Sequence, residues 1–163
     1  MQHYCVLVVD DSLVIRSLMT QIFEADPEIT RIGAVATTDA ATTYLQAQKV
    51  DVVVLDLEMP GTSGLQYLPT LNRMNIPVVV LSGHANEGSD TRGAALMLGA
   101  SACFDKAHAV RESSGLIGIV KAAASRTFRL NEGDESLLAK VQARVRAEAD
   151  ELGIRREWTA VHS

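Results

Sequence analysis

Short apolar runs rich in β-branched residues alternate with longer helix-like stretches from residue 4 to about residue 126. Three of the five runs are continuously apolar, which is typical of strands buried on both faces of a parallel sheet. Repeated strand and helix units of this kind build a parallel sheet covered by helices. The alternation therefore predicts an α/β domain over residues 1–128, followed by an extension over residues 129–163.

The strand-like and helix-like periodicities of the apolar residues predict five strands and five helices in the domain. The predicted strands cover residues 4–9, 31–36, 50–55, 77–81 and 102–104. The first four predicted helices cover residues 12–25, 39–48, 64–74 and 87–98. The fifth contains two glycines that lower its helix propensity, so we expect it to begin only near Ser113 or Ser114 as N-cap and to end near Arg126.

Residues that typically cap, end or kink a helix occur in or beside the predicted helices. Thr37 and Thr38 are capping candidates for the second helix, and Gly99 stands where a C′ glycine would end the fourth. Pro69 falls inside the third helix, where it removes a backbone donor and predicts a kink.

Composition excludes several classes of protein. Hydrophobic residues make up 47% and charged residues 21%, which fits neither a disordered chain nor a membrane protein. The apolar runs are far shorter than the roughly 20 residues of a membrane span, and the N-terminus lacks the basic start of a secretory signal. The net charge is -5 without a Lys or Arg cluster. We expect a cytoplasmic protein with no nucleic-acid or membrane partner.

The extension reads as a linker over residues 129–133 and a charged amphipathic helix over residues 134–152. Leu138, Val145 and Leu152 recur at intervals of seven, which gives one narrow apolar face. An isolated helix of this kind is marginal in water. We expect the helix to pack on its own domain or on a second copy, with a solvated tail as the alternative.

Polar residues stand at the ends of the predicted strands. Asp10 and Asp11 follow the first strand, Asp56 the third, Ser82 the fourth and Lys106 the fifth. Ligands of open parallel sheets bind outside the carboxyl ends of the strands. We therefore expect these side chains to converge at one edge of the sheet.

That combination of groups predicts a phosphoryl-transfer site. Three close carboxylates repel one another, and a hard divalent cation such as Mg2+ relieves the repulsion. With the cation and Lys106 neutralising incoming charge, Asp56 is placed to attack an activated phosphoryl group and form an acyl phosphate.

Each of these residues also has an ordinary structural explanation. Asp10 and Asp11 fit an N-cap and partners of the helix dipole. Asp56 fits a turn carboxylate, Ser82 a capping hydroxyl and Lys106 a solvated lysine. Their coincidence at the strand ends is what favours a functional site.

Four motifs, in order, resemble the response-regulator receiver domains of two-component signalling. They are Val-Val-Asp-Asp-Ser at 8–12, Val-Leu-Asp-Leu-Glu-Met-Pro-Gly-Thr-Ser-Gly at 54–64, Pro-Val-Val-Val-Leu-Ser-Gly at 77–83 and Leu-Gly-Ala-Ser-Ala-Cys-Phe-Asp-Lys at 98–106. The resemblance covers about residues 4–126 and implies a flavodoxin-like, doubly wound sheet of strand order 2-1-3-4-5.

The resemblance also implies roles for individual residues. Asp56 would be the phosphoacceptor for a sensor histidine kinase or phosphotransfer domain, assisted by Ser82 and Lys106. Asp11, Asp56 and the backbone carbonyl of Glu58 would bind Mg2+ directly, and Asp10 would act through water.

Within the family, the Leu-Glu-Met-Pro sequence and the spacing from Ser82 to Lys106 are most similar to the receivers of chemotaxis methylesterases. No Ser-centred nucleophile turn follows Arg126, and the remaining residues are too few for an α/β hydrolase. We therefore expect the chain to lack the esterase half.

The chain departs from the family pattern at several positions. Ala107 follows Lys106 where proline is usual, which puts the cis geometry of that bond in question. Cys103 stands at the position of the switching aromatic residue, with Phe104 next to it. Resemblance assigns the tuning of dephosphorylation to the positions of Glu58 and His84, although His84 also fits an exposed loop histidine.

These observations favour a single-domain response regulator, a phosphoprotein and not an enzyme acting on a small molecule. It would signal through contact with a protein effector, or form a homodimer through the fourth helix, fifth strand and fifth helix or through the C-terminal helix. A phosphate sink or phosphorelay intermediate is the alternative, followed by an interaction module that is never phosphorylated. A phosphatase of the haloacid dehalogenase type lacks its Asp-x-Asp pattern here, and the extension lacks a helix-turn-helix.

Overall fold

The computed structural model describes residues 2–59, 61, 63–83 and 90–125. The strands are β1 (Tyr4–Val9), β2 (Ile29–Val35), β3 (Val52–Asp56), β4 (Val78–Ser82) and β5 (Ala102–Asp105). The helices are α1 (Leu13–Glu24), α2 (Thr38–Ala47), α3 (Gly64–Arg73), α4 (Asp90–Met97), α5 (Lys106–Arg111) and α6 (Ser113–Ala124).

The five strands form one parallel sheet in the order β2-β1-β3-β4-β5, which confirms the predicted topology. Every residue of β1, β3 and β4 is buried, because these central strands are covered by helices on both faces. β2 lies at the edge and mixes buried with exposed positions. Asp56 pairs with Leu81, and Ser82 pairs with Asp105, so the carboxyl ends of β3, β4 and β5 lie side by side.

Strand alternation divides the core into two layers. Val6 and Val8 of β1 face a layer that contains Phe23 of α1 and Leu116 of α6. The opposite layer contains Leu7 and Val9 of β1 and is closed by α2, α3 and α4. The sheet is therefore a rigid platform whose carboxyl edge carries the loops.

The predicted boundaries of most elements are close to those observed. β1 is as predicted, whereas β2 begins two residues earlier, and β4 and β5 each end one residue later than expected. Helix α1 begins after Ser12, whose Oγ accepts a hydrogen bond from the Ile15 amide at 3.3 Å, and α2 is capped by Thr37. Pro69 lies inside α3, and the kink expected there stays a prediction.

Gly99 ends α4 as predicted, with φ of 101°. The Gly99 amide donates to the carbonyl of Leu96 at 3.1 Å, and the Ala100 amide donates to that of Ala95 at 3.0 Å. This pair of bonds is a Schellman motif, in which a left-handed residue satisfies the last carbonyls of a helix. The predicted start of the helix, at residue 87, falls outside the described residues.

The helix predicted to begin near Ser113 or Ser114 begins at Ser113, with its N-cap one residue earlier than predicted, but a separate short helix before it was not predicted. A short helix, α5, occupies residues 106–111, and α6 follows it with Glu112 at the N-cap position. Ser113 is already helical, and Glu112 makes no side-chain capping bond. The reason is that the Glu112 amide donates to the carbonyl of His108 at 2.7 Å, which closes α5 immediately before α6.

The predicted linker and the helix over residues 134–152 lie outside the described residues, as does Arg126. Within the described part of the chain, no helix has the length and apolar content needed to cross a membrane.

Candidate phosphoacceptor site

Asp10 is held at the end of β1 by its neighbours on both sides. Its amide donates to the carbonyl of Val35 at 3.1 Å, and its Oδ1 accepts a hydrogen bond from the Ser12 amide at 2.8 Å. Nη1 of Arg16, one turn into α1, donates to the Asp10 carbonyl at 2.7 Å. These bonds fix a carboxylate that is only 2% exposed, whereas the neighbouring Asp11 is exposed.

Asp56 is the last residue of β3, and its side chain is 1% exposed. Its Oδ1 accepts a hydrogen bond from the Glu58 amide at 2.9 Å. Gly64, the first residue of α3, packs so closely behind this turn that a Cβ on it would collide with the carbonyl oxygen of Asp56. Glycine at this position is what lets α3 approach the backbone of the site.

Lys106 connects the two buried carboxylates. It is the first residue of α5, and its Nζ lies 3.0 Å from Oδ1 of Asp56 and 3.2 Å from Oδ2 of Asp10. The lysine side chain is 19% exposed, and its ammonium group is within ion-pair distance of both buried carboxylates. The predicted convergence of strand-end residues is therefore present for Asp10, Asp56 and Lys106.

The electrostatics of the site follow from this burial. Burial raises the pKa of Asp10, and the charge of Asp56 raises it further, against the lowering effect of the Ser12 amide and Lys106. Burial by itself lowers the pKa of Lys106, but the hydrogen bond and charge of Asp56, together with Asp10, outweigh it and leave the pKa raised. Lys106 is thus held firmly in its charged form.

The carboxylates form a donor set that fits a hard divalent cation. One oxygen from each of Asp10, Asp11 and Asp56 lies within 4.8 Å of the others. Oδ2 of Asp56 is buried without a hydrogen-bond partner in the described part of the chain, and Oδ2 of Asp10 has only its ion pair with Lys106. Lys106 is a single positive charge beside three carboxylates, so negative charge remains on buried oxygens that lack hydrogen bonds. A Mg2+ ion would neutralise that charge.

The other predicted residues are placed differently. Ser82 is buried at the end of β4, and Glu58 is exposed beyond β3. A Cβ on Gly83 would lie 3.4 Å from Oε2 of Glu58, so this carboxylate borders the loop after β4. His84 falls outside the described residues.

Cys103 and Phe104 pack on opposite faces of the sheet. Cys103 contacts the layer closed by α3 and α4, and Phe104 contacts the layer closed by α1 and α6. Phe104 therefore does not take the place of the residue expected at Cys103. No peptide bond among the described residues is cis, so the bond from Lys106 to Ala107 is trans.

Two supporting residues of the site were not singled out from the sequence. Arg16 anchors the backbone of Asp10, and Asp105 precedes Lys106 with its side chain bonded to the first turn of α5. Asp105 carried a detectable signal, because an aspartate directly before a short helix is a typical N-cap.

Residues 6–114 match the family pattern described as "Response regulator receiver domain". The chain belongs to that family, and its sheet topology is that of a receiver.

Among known proteins, the chain is similar to the protein-glutamate methylesterase/protein-glutamine glutaminase of group 2 operon of Rhodospirillum centenum, at 39% identity over 95% of this chain and 36% of the relative. A protein of the same kind from Vibrio vulnificus is 43% identical over 62% of this chain and 30% of its own length. The chain thus spans about a third of the length of the curated relatives it matches. The response regulator domain of Thermotoga maritima CheB superposes with a TM-score of 0.69 at 26% identity, covering 76% of this chain and 98% of that domain.

Proposed function

We propose that the chain is a phosphoacceptor module in which Asp56 receives a phosphoryl group from the phosphohistidine of a sensor kinase or phosphotransfer domain. The observation that carries the proposal is the geometry at Asp56. One of its oxygens is held by Lys106 and the Glu58 amide, while the other is buried and has no hydrogen-bond partner among the described residues. The oxygen without a hydrogen bond can therefore form a bond with the phosphorus atom of an incoming phosphoryl group.

The transfer breaks the P–N bond of the donor and forms a P–O bond to Asp56. The electron pair of the broken bond leaves on the imidazole nitrogen of the donor histidine. Lys106, beside Asp56, offsets the negative charge of the arriving phosphoryl oxygens, and the hydroxyl of Ser82 lies at the same edge of the sheet to donate a hydrogen bond to one of them.

Asp10, Asp11 and Asp56 would hold Mg2+, together with the backbone carbonyl of Glu58. When bound, the cation neutralises charge on the carboxylates and on the phosphoryl group. The buried strand ends keep the carboxylates in place before the donor arrives, and such positioning, together with electrostatic stabilisation, is what a protein contributes to phosphoryl transfer.

The experiment is labelling with acetyl phosphate and Mg2+, followed by intact-mass analysis. The chain is expected to gain one phosphoryl group, and Asp56→Asn is expected to gain none. Asp39→Asn, on the exposed side of α2, makes the same chemical change away from the site and should be labelled like the wild type. Undiminished labelling of Asp56→Asn would refute the proposal.

The output is proposed to be contact with a protein effector, in a chain that is not itself an enzyme on a small molecule. A phosphate sink or relay intermediate uses the same chemistry but loses the phosphoryl group quickly. The lifetime of labelled Asp56 in the absence of any partner separates the two, because only the effector role needs a long-lived acyl phosphate.

A further inference from the structure

Asp105 lies next to the site without belonging to its acidic cluster. It is the last residue of β5, it is half-buried, and it has an extended backbone with φ of -74° and ψ of 132°. Its Oδ1 accepts a hydrogen bond from the Ala107 amide at 2.7 Å and a longer one from the His108 amide at 3.4 Å. These are the bonds of a helix N-cap, so α5 begins at Lys106 because Asp105 caps it.

The backbone of Lys106 is consequently fixed from both sides. On one side Asp105 is paired with Ser82 in the β4–β5 register, and on the other side the same residue's carboxylate holds the next two amides. A lysine side chain has several rotatable bonds and loses considerable entropy when it is immobilised. The position of its backbone therefore decides how readily Nζ reaches between Asp10 and Asp56.

Besides the ion pairs of Lys106 itself, packing contacts hold this segment in place. Helix α5 has six residues, which is too short for stability without outside support. Ala109 is fully buried, and the ring of Phe104 meets that of His108 edge-on at 6.2 Å between centroids. Ala107 imposes no backbone restriction of its own, so the two bonds from the Asp105 cap to the Ala107 and His108 amides fix the first turn of α5.

We propose that Asp105 is a positioning residue for Lys106 in phosphoryl transfer, acting through the N-cap of α5. The inference rests on the proposed function, since it assigns a role in the reaction at Asp56. The proposed role depends on geometry and not on charge. An uncharged capping side chain at position 105 should therefore preserve the positioning of Lys106, whereas alanine should not.

The test compares Asp105→Ala, Asp105→Asn and Asp105→Ser by their initial rates of labelling with acetyl phosphate at saturating Mg2+. Loss of a cap corresponds to a rate reduction of about fivefold in Asp105→Ala, and the Asn and Ser variants should stay within about twofold of the wild type. Hydrogen exchange at the Ala107 and His108 amides gives a readout independent of phosphorylation. Exchange should accelerate in the alanine variant alone.

A double-mutant cycle separates positioning from general destabilisation. In a Lys106→Met background, followed for long times because labelling is slow, Asp105→Ala should change the rate by less than about twofold. Thr37→Ala removes a comparable cap from α2, whose Thr37 Oγ1 accepts from the Ala40 amide at 3.0 Å, and should leave the labelling rate unchanged. Melting temperatures of all variants confirm that they fold.

The results that overturn the proposal are distinct from failure of the proposed function. If the wild-type chain is not labelled, the phosphoacceptor function fails. If the wild type is labelled and Asp105→Ala is equally fast, or the alanine effect persists undiminished without Lys106, positioning by Asp105 is wrong. Failure of the Asn and Ser variants to restore the labelling rate would likewise refute the proposal that Asp105 positions Lys106 through the helix cap.

Discussion

Replacing Lys106 by methionine tests whether this lysine is the internal counter-ion of the site. The substitution keeps most of the aliphatic stem and removes the ammonium group that lies 3.0 Å from Asp56 and 3.2 Å from Asp10. Both carboxylates are almost fully buried, so they would face each other without a cation. In metal-free buffer the protein should therefore lose stability.

The size of the loss follows from two opposing effects. Removing one partner of a buried ion pair costs about 3–5 kcal/mol. Asp10 can escape part of this cost by binding a proton, because its pKa is already raised. We therefore expect the free energy of unfolding to fall by about 2 kcal/mol at pH 8, below the full penalty.

The loss should depend on pH in a defined direction. The pKa of Asp10 is higher in the folded than in the unfolded state, so its favourable contribution is present below the unfolded value of about 3.9 and is lost as pH rises through the folded value. Without Lys106 this pKa rises further, and the deficit of the variant grows from pH 5 to pH 8. The raised pKa of Lys106 means that its own contribution disappears only in strong alkali, above about 10.4.

Urea denaturation followed by circular dichroism, with EDTA at both pH values, measures this deficit. Lys49→Met, which changes an exposed lysine away from the site, should show no deficit at either pH. Because the ammonium group and Mg2+ both neutralise the charge of the same carboxylates, Lys106→Met should also bind Mg2+ more tightly and regain stability on its addition. An equal deficit at pH 5 and pH 8, or unchanged Mg2+ affinity by calorimetry, would refute the reasoning.

Two further predictions concern the scaffold. Gly99→Ala should lower the free energy of unfolding by about 1–2 kcal/mol, because φ is 101° and the new Cβ would collide with the side-chain amide of Asn72. In the same denaturation assay, Gly118→Ala should raise the free energy of unfolding by about 0.5–1 kcal/mol, because a Cβ at this position meets nothing within 4 Å. Hydrogen bonding by Lys121 at 2.9 Å lowers the pKa of Asp26, so the stability from this pair is present above the unfolded pKa and is lost as pH falls through the folded one. Lys121→Gln should therefore be less stable than the wild type at pH 7, and the two melting temperatures should converge in acid; a constant difference would contradict this.

The sheet was predictable from the sequence because its central strands are buried on both faces. β1, β3 and β4 then read as apolar runs whose ends are marked by the first polar residue. The edge strand β2 was located less well, since the exposed Thr30 interrupts its apolar pattern and hides its start at Ile29. Periodicity is a weaker signal where only part of a strand contributes to the core.

Helix α5 could not be predicted because six residues do not establish a helical period. Its existence depends on the Asp105 cap and on the burial of Ala109, which are tertiary features. The convergence of Asp10, Asp56 and Lys106 followed from topology alone. That Lys106 contacts both carboxylates did not follow, because a long flexible side chain reaches many positions from the same backbone.

The aromatic position in β5 shows why a shift of one residue in a strand is a large change. Successive side chains of a strand point to opposite faces, so Cys103 and Phe104 contact different layers although they are neighbours. Phe104 meets His108 of α5, the helix that begins with Lys106, whereas Cys103 lies in the layer that contains Ala95 of α4. Since α4 and α5 cover opposite faces, an aromatic ring at 104 is in contact with the lysine-bearing segment and is separated from α4 by the sheet itself.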